Sequence, residues 1–154
     1  MRAIKKFLVM MFFISQSINA NACETIGLNI KFHDLNTKIR VEIADTFLKR
    51  KKGLMFRKHL ALNSGMLFVY DYPQKAKFWM KNTFIPLDIA FADGTGRVVT
   101  LVQHAKPLQH ELIDGGDNIQ YVLEINAGMA KKFNLFEDSM LEHPIIQLDA
   151  GKFC

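Results

Sequence analysis

The sequence is poor in the residue types that usually announce chemistry. Of its 154 residues two are cysteine, one is tryptophan and four are proline. Two cysteines, Cys23 and Cys154, exclude a disulfide-dense scaffold and a thiolate metal cage. The histidines His33, His59, His104, His110 and His143 have neither HExxH nor HxH spacing, so no metal site is expected. Gly-x-Ser-x-Gly is absent, which removes the usual serine-hydrolase elbow. Gly94-Thr95-Gly96 lacks the longer glycine spacing and the following helix of a phosphate loop, and no cofactor is expected. There is no internal repeat, no low-complexity stretch and no apolar run of the roughly 20 residues that a membrane-spanning helix requires.

What is present begins with an export pattern. Arg2, Lys5 and Lys6 precede an apolar stretch over residues 7–14, and Ala20-Asn21-Ala22 is a small-x-small cleavage signal. Residues 1–22 therefore read as a signal peptide cleaved near Ala22, with residues 23–154 as one domain in a periplasmic or secreted protein. A lipoprotein signal places a branched aliphatic residue three positions before the cysteine; Ala20 stands there, so lipidation of Cys23 is not expected. The formal charge is +5, and removing the three cations of residues 1–22 leaves +2. So small a surplus, without a motif, offers no support for nucleic-acid binding. In an oxidising compartment Cys23 and Cys154 form a natural disulfide pair closing nearly the whole domain; two unpaired terminal thiols are the alternative.

The rest of the chain alternates in short runs. Residues 26–33 and 37–44 are expected strands, the second with Ile39, Val41 and Ile43 facing one way and Lys38, Arg40 and Glu42 the other, and Asn36 is the turn residue between them. Asp45 and Thr46 offer caps for a short helix over 47–52 that Gly53 can end. If that helix ran on, Phe47 with Leu54 and Leu48 with Met55 would share a buried face. Its run Lys49-Arg50-Lys51-Lys52 suits either a solvated helix face or a polyanion contact. Further strands are expected over 65–70, 77–81, 85–91, 97–102 (almost wholly apolar, hence central), 120–126 and 144–148. Asp71-Tyr72-Pro73 and Asp93-Gly94-Thr95-Gly96 are expected turns, 107–118 a long exposed loop, and 127–134 a second helix capped by Asn126. Many short strands with two short helices predict a mainly β fold, a compact barrel or sandwich, with a monomer as the expected assembly.

Polar residues inside apolar runs mark the candidate site. The stretch 78–91 holds Trp79, Lys81, Asn82 and Asp88 among apolar neighbours, and Arg57 ends another apolar run. A cation beside an amide and a carboxylate can hold a small polar ligand, Trp79 can supply a stacking wall, and a carboxyl of raised pKa at Asp88 can act as a base. The same groups, with Glu124, can equally satisfy one another in the interior. On one continuous strand Asn82 and Asp88 would stand about 20 Å apart, so they converge only if the chain turns near Asn82-Thr83.

Four blocks carry a resemblance: Gly53-Leu54-Met55-Phe56-Arg57, Gly65-Met66-Leu67-Phe68-Val69-Tyr70, the stretch 78–88, and Tyr121-Val122-Leu123-Glu124-Ile125-Asn126-Ala127-Gly128. In this order they resemble the signatures of the family called domain of unknown function 192, across residues 31–148. The resemblance implies a compact β-rich barrel or sandwich and, with this leader, Gram-negative periplasmic export. It implies no activity, cofactor or catalytic residue. It marks Arg57, Trp79, Met80, Lys81, Asn82, Pro86 and Asp88 as shared positions. The chain departs from many relatives in having a basic first helix where theirs is acidic.

The expectation for function is an exported binding or accessory module for a small polar ligand or an envelope protein, using Arg57, Trp79, Lys81, Asn82 and Asp88. A hydrolase or lyase acting on a saccharide or cell-envelope fragment, with Asp88 as base, is the alternative. A structural partner protein, contacting others through 107–118 or the basic helix, is the third.

Overall fold

The computed structural model describes residues 26–147. Cys23, Cys154 and residues 1–22, read above as a signal peptide, lie outside the described residues. The chain is mainly β: seven strands form one curled sheet, a partly closed barrel, in the order β5-β4-β6-β3-β2-β1-β7. These are β1 (Ile26–Phe32), β2 (Leu35–Ala44), β3 (Ser64–Phe78), β4 (Leu87–Ala92), β5 (Val98–Ala105), β6 (Ile113–Asn126) and β7 (Met140–Glu142). Three short helices accompany them, α1 (Phe47–Lys52), α2 (Met129–Lys132) and α3 (Pro144–Gln147). The two outer strands approach at one corner, where Arg97 bridges to Met140 and Val98 N–H donates to the Ser139 carbonyl at 2.8 Å.

The alternation read in residues 37–44 has its expected consequence. Ile39 and Val41 are buried, while Lys38 and Arg40 are exposed. β1 and β2 form an antiparallel hairpin, with the turn at His33-Asp34 rather than at Asn36. β2 then pairs in parallel with β3, so the chain crosses over between them and carries α1 on the crossover. Thr46 Oγ1 caps α1 by accepting from Lys49 N–H at 3.3 Å. Gly53, at φ 48, ends it. With the helix stopped there, Phe47 and Leu48 have no buried face to join and stand 69% and 74% exposed.

β4 and the inner parts of β3 (65–69) and β6 (121–125) are buried on both faces. On one face Leu67, Val69, Ala90, Leu123 and Ile125 pack with Leu28, Ile30, Ile39 and Val41 and with Ala130 and Phe133 of and beside α2. On the other face Met66, Phe68, Leu87, Ile89, Phe91 and Val122 are covered by Leu54, Met80 and Ile85 from two connecting segments. Apolar contact on both sides makes these strands the rigid floor on which those segments lie.

Several segments depart from expectation. Residues 97–102 were expected at the centre, but β5 is an outer strand: Val98 is buried, yet Val99 is 42% exposed. Asp71-Tyr72-Pro73 does not reverse the chain. β3 runs straight through it to Phe78, absorbing the proline with register shifts between Val69 and Gln74 on an exposed stretch. The expected strand 77–81 accordingly stops at Phe78. Its partner is the first half of β6, drawn from the expected loop 107–118, which escaped a strand reading because it is polar and glycine-rich. Residues 144–147 form α3 rather than a strand, with Pro144 in its first turn where a missing N–H costs no helical bond. Asn126 does not cap α2: its Nδ2 donates to the carbonyls of Leu60 and Ala61.

Candidate functional site

The residues singled out in the sequence separate into three places. Asp88 is fully buried on β4. Its Oδ1 accepts from His104 N–H at 2.9 Å and its Oδ2 from Ala130 N–H at 2.9 Å. His104 carries φ 55 in a strand whose register slips between its pairings with Leu87 and Ile89. The carboxylate thus ties the irregular part of β5 to the start of α2, taking up two backbone donors that the sheet and helix leave over. That is the work of a structural network, and it leaves Asp88 turned toward the α2 side of the sheet.

Arg57 is engaged as well. Its two terminal nitrogens grip both oxygens of Glu42, with Nη2 to Oε2 at 2.7 Å. The Arg57 hydrogen bonds hold the Glu42 carboxyl below the usual carboxylate range, against the opposing pull of partial burial. The pair borders a cleft of about 420 Å³ between β2 and α1, lined also by Lys49, Lys52, Gly53 and Met66.

The chain does turn at Asn82. Thr83 N–H donates to the Met80 carbonyl at 3.0 Å, and Asn82 sits at φ 58, a conformation that asparagine tolerates better than most residues. Lys81, exposed on that turn, places Nζ 5.3 Å from the Trp79 ring centre. Trp79 and Lys81 are therefore together, and the Asn82 carbonyl reaches across to accept from Phe56 N–H. Asp88 joins neither group, since strand alternation sends it to the face opposite Leu87 and Ile89.

A residue of the network set, rather than of the favoured site, has the more unusual surroundings. Glu124 on β6 lies between Met66 of β3 and Ile89 of β4 and is 6% exposed. No hydrogen bond or ion pair to its carboxyl is found among the described residues, although the salt bridges there include five other acid–base pairs. Burial alone pushes its pKa up to about 8. It forms part of the wall of a second cleft, of about 170 Å³, whose aromatic lining is Phe68, Tyr70, Phe78 and Trp79 and whose cations are Arg50, Lys51, Lys52 and Lys77. The two clefts share Lys52 and Gly53, so the end of α1 separates them.

Arg50 fixes that end of α1 in place. Its Nη1 donates to the carbonyls of Asp45 and Val69, and its guanidinium stacks 5.1 Å from the Tyr70 ring centre. Burial raises the Tyr70 pKa; Arg50 opposes the shift and Glu124 adds to it. At neutral pH a carboxyl with these surroundings is a neutral hydrogen-bond donor at the wall of an aromatic cleft, beneath a positive rim. It can donate to a ligand oxygen, or exchange a proton with one. No cluster of three or more potential metal ligands occurs among the described residues. No helix among them is long and apolar enough to cross a membrane.

The sequence carried a signal for Glu124: an acid inside the apolar run Tyr121-Val122-Leu123-Glu124-Ile125. Period two puts Glu124 on the face opposite Tyr121, Leu123 and Ile125, which reads as solvent in a half-buried strand. Here the opposite face is also covered, and the acid is enclosed.

Comparisons with other proteins agree with this architecture. No curated protein matches the chain. A solved protein of unknown function from Novosphingobium aromaticivorans is 33% identical, with TM-score 0.74 over 77% of this chain and 85% of its own. A Sinorhizobium meliloti protein described as a putative transcription regulator is 31% identical, with TM-score 0.73 over 77% of this chain and 95% of its own. The family model described as Uncharacterized ACR matches residues 29–143, and the chain belongs to that family, domain of unknown function 192.

Proposed function

We propose that this protein is an exported binding module whose cleft beside Glu124 takes a small ligand with a carboxylate or phosphate on an apolar or aromatic body. The observation that carries the reading is the buried Glu124 carboxyl, without a partner of its own, in a cleft that also offers four aromatic rings and four cations. Its oxygens reach the cleft instead of being sealed in the core, so a ligand entering there meets a carboxyl that the fold itself leaves unpaired. The neutral carboxyl donates to the ligand, Trp79 and Phe78 flank its body, and Lys51, Lys52 and Lys77 neutralise its anionic end. Trp79 remains at the site, with Lys81 stacked on it from outside the cleft lining; Asp88, Asn82 and Arg57 serve the scaffold that positions it.

Export is supported by the cation–apolar–Ala20-Asn21-Ala22 order of the leader. A Cys23–Cys154 bridge is supported by the even cysteine pair in a chain read as exported to an oxidising compartment. Non-reducing peptide mapping of the protein recovered from the periplasm tests both, since it reads the mature N-terminus and the linked peptide together.

The binding reading is tested by calorimetry against benzoate, phenyl phosphate and their uncharged amide or alcohol counterparts. Saturable binding of the anions, lost in Glu124→Ala and Lys77→Glu while both variants remain folded, is the expected result. Binding unaffected by Glu124→Ala overturns it. Turnover of a saccharide or envelope fragment that requires Glu124 would instead favour the enzymatic reading, in which the same raised pKa serves proton transfer.

A further inference from the structure

Four large apolar side chains point to solvent on three loops that backbone hydrogen bonds join into one surface. Phe56 is 63% exposed, Trp79 and Phe84 46% each, and Leu108 50%. Phe56 N–H donates to the Asn82 carbonyl at 2.8 Å, Met80 N–H to Gln109 at 3.1 Å and Leu108 N–H to Thr83 at 3.1 Å. The loops are thus held side by side, and their apolar residues form a preformed patch rather than scattered exposures.

Two of these residues are held outward against a backbone penalty. Phe56 sits at φ 65 and Leu108 at φ 61, in the left-handed region that bulky side chains rarely adopt. Their exposure means that packing does not repay the strain. Strain kept without a packing return is a mark of positions retained for contact with something else.

The charges around the patch select that partner. Lys58, Lys81 and Lys106 are exposed on the same loops, and no ion pair to any of them is found among the described residues. Glu111 is the one acid in residues 54–58, 79–84 and 106–112. We infer that this face docks on an anionic bilayer surface, with Phe56, Trp79, Phe84 and Leu108 entering the boundary between headgroups and acyl chains and the lysines contacting lipid phosphates. Aromatic rings with a wet edge and lysines with long apolar stems suit that boundary, where one side is apolar and the other is water. Trp79 also walls the Glu124 cleft, so the docked orientation brings the mouth of that cleft to the bilayer. The docking itself does not depend on what the cleft binds.

Trp79 is the one tryptophan of the chain and reports the event directly. The chain beginning at Cys23, which retains every described residue, is mixed with vesicles of phosphatidylcholine containing about one third phosphatidylglycerol, and with pure phosphatidylcholine vesicles. The expected result is a blue shift of Trp79 emission and co-sedimentation with the anionic vesicles. The double change Phe56→Asn with Leu108→Asn is expected to weaken vesicle binding about tenfold or more. It should leave the melting temperature unchanged or higher, because asparagine accepts the left-handed conformation. Lys58→Glu with Lys106→Glu is expected to remove the preference for anionic over neutral vesicles. Four results overturn the inference: no binding to either vesicle; binding that the asparagine variant keeps in full; binding lost only when Phe47 and Leu48 of α1 are changed to serine; or self-association, reversed by the asparagine variant, in place of vesicle binding.

Discussion

Replacing Glu124 with glutamine changes one thing, the ability of a buried group to ionise. The folded pKa is about 8 against an ordinary value of 4.5, and its cause is removal from water. Below about pH 4.5 the carboxyl is neutral both folded and unfolded, and its stabilising preference for the fold is complete. Between that pH and about 8 the folded chain keeps a proton that the unfolded chain releases, so stability declines as pH rises. Above about 8 the charged form must be buried or the fold given up, and the contribution is gone. At about 1.4 kcal/mol for each unit, the rise from 4.5 to about 8 amounts to on the order of 5 kcal/mol. Glutamine has nearly the same shape and never ionises. Wild type and Glu124→Gln should therefore melt within a few degrees of each other near pH 4.5. At pH 9 the variant should melt higher by about 15–25 °C, given roughly 3–5 °C for each kcal/mol in a domain of this size. Thermal melts followed by circular dichroism at half-unit pH steps measure the difference. Two parallel profiles, with the variant offset by a constant amount across the whole range, would refute the buried, neutral carboxyl. The same variant retains one donor and one acceptor but cannot exchange a proton. Ligand binding that survives in glutamine, with reaction lost, would separate recognition from acid–base chemistry.

The scaffold makes its own predictions. Asp88→Ala leaves the buried Ala130 N–H and the partly buried His104 N–H without their acceptor and should cost about 2–4 kcal/mol, read as a lower denaturant midpoint with an unchanged slope. Arg57→Ala removes a bidentate pair whose Glu42 side chain is 43% exposed, so solvent screening limits the cost to about 1 kcal/mol or less; a loss as large as that of Asp88→Ala would contradict this division. At Gly65 a methyl group would stand 2.6 Å from the Glu124 carbonyl oxygen, which the sheet does not allow to yield. Gly65→Ala should therefore destabilise by about 1–3 kcal/mol and disturb the Trp79 emission less than the stability. Ligand affinity in wild type should fall as pH rises through about 8, because the ionised Glu124 repels the anion it had served as donor; an affinity flat from pH 6 to 9 would count against the cleft reading.

The chain's periodicity was enough to establish a mainly β protein. Ile39 and Val41 alternate with lysine and arginine because one side of β2 faces the core and the other faces water, and such a boundary is written in every second residue. Thr46 and Gly53 delimited α1 for equally local reasons, a side-chain acceptor at one end and a left-handed position at the other. The turn at Asn82 was legible as a condition of the site, and it is present. Local pattern had no means of ranking the strands. The apolar stretch after Arg97 became an outer strand closing against β7, while the polar, glycine-rich stretch before Ile119 was drawn into the longest pairing of the sheet. Which acid was tied and which was left open was likewise a tertiary decision. Asp88 and Glu124 are both single acids in apolar runs, one residue out of phase across the β4–β6 pairing. That offset sends Asp88 to the face where α2 and β5 supply two amide donors, and Glu124 to the face where Trp79, Tyr70 and the end of α1 leave a cleft. The sequence determined that two carboxyls would be taken out of water; only the packing of elements distant along the chain decided which of them would find a partner there.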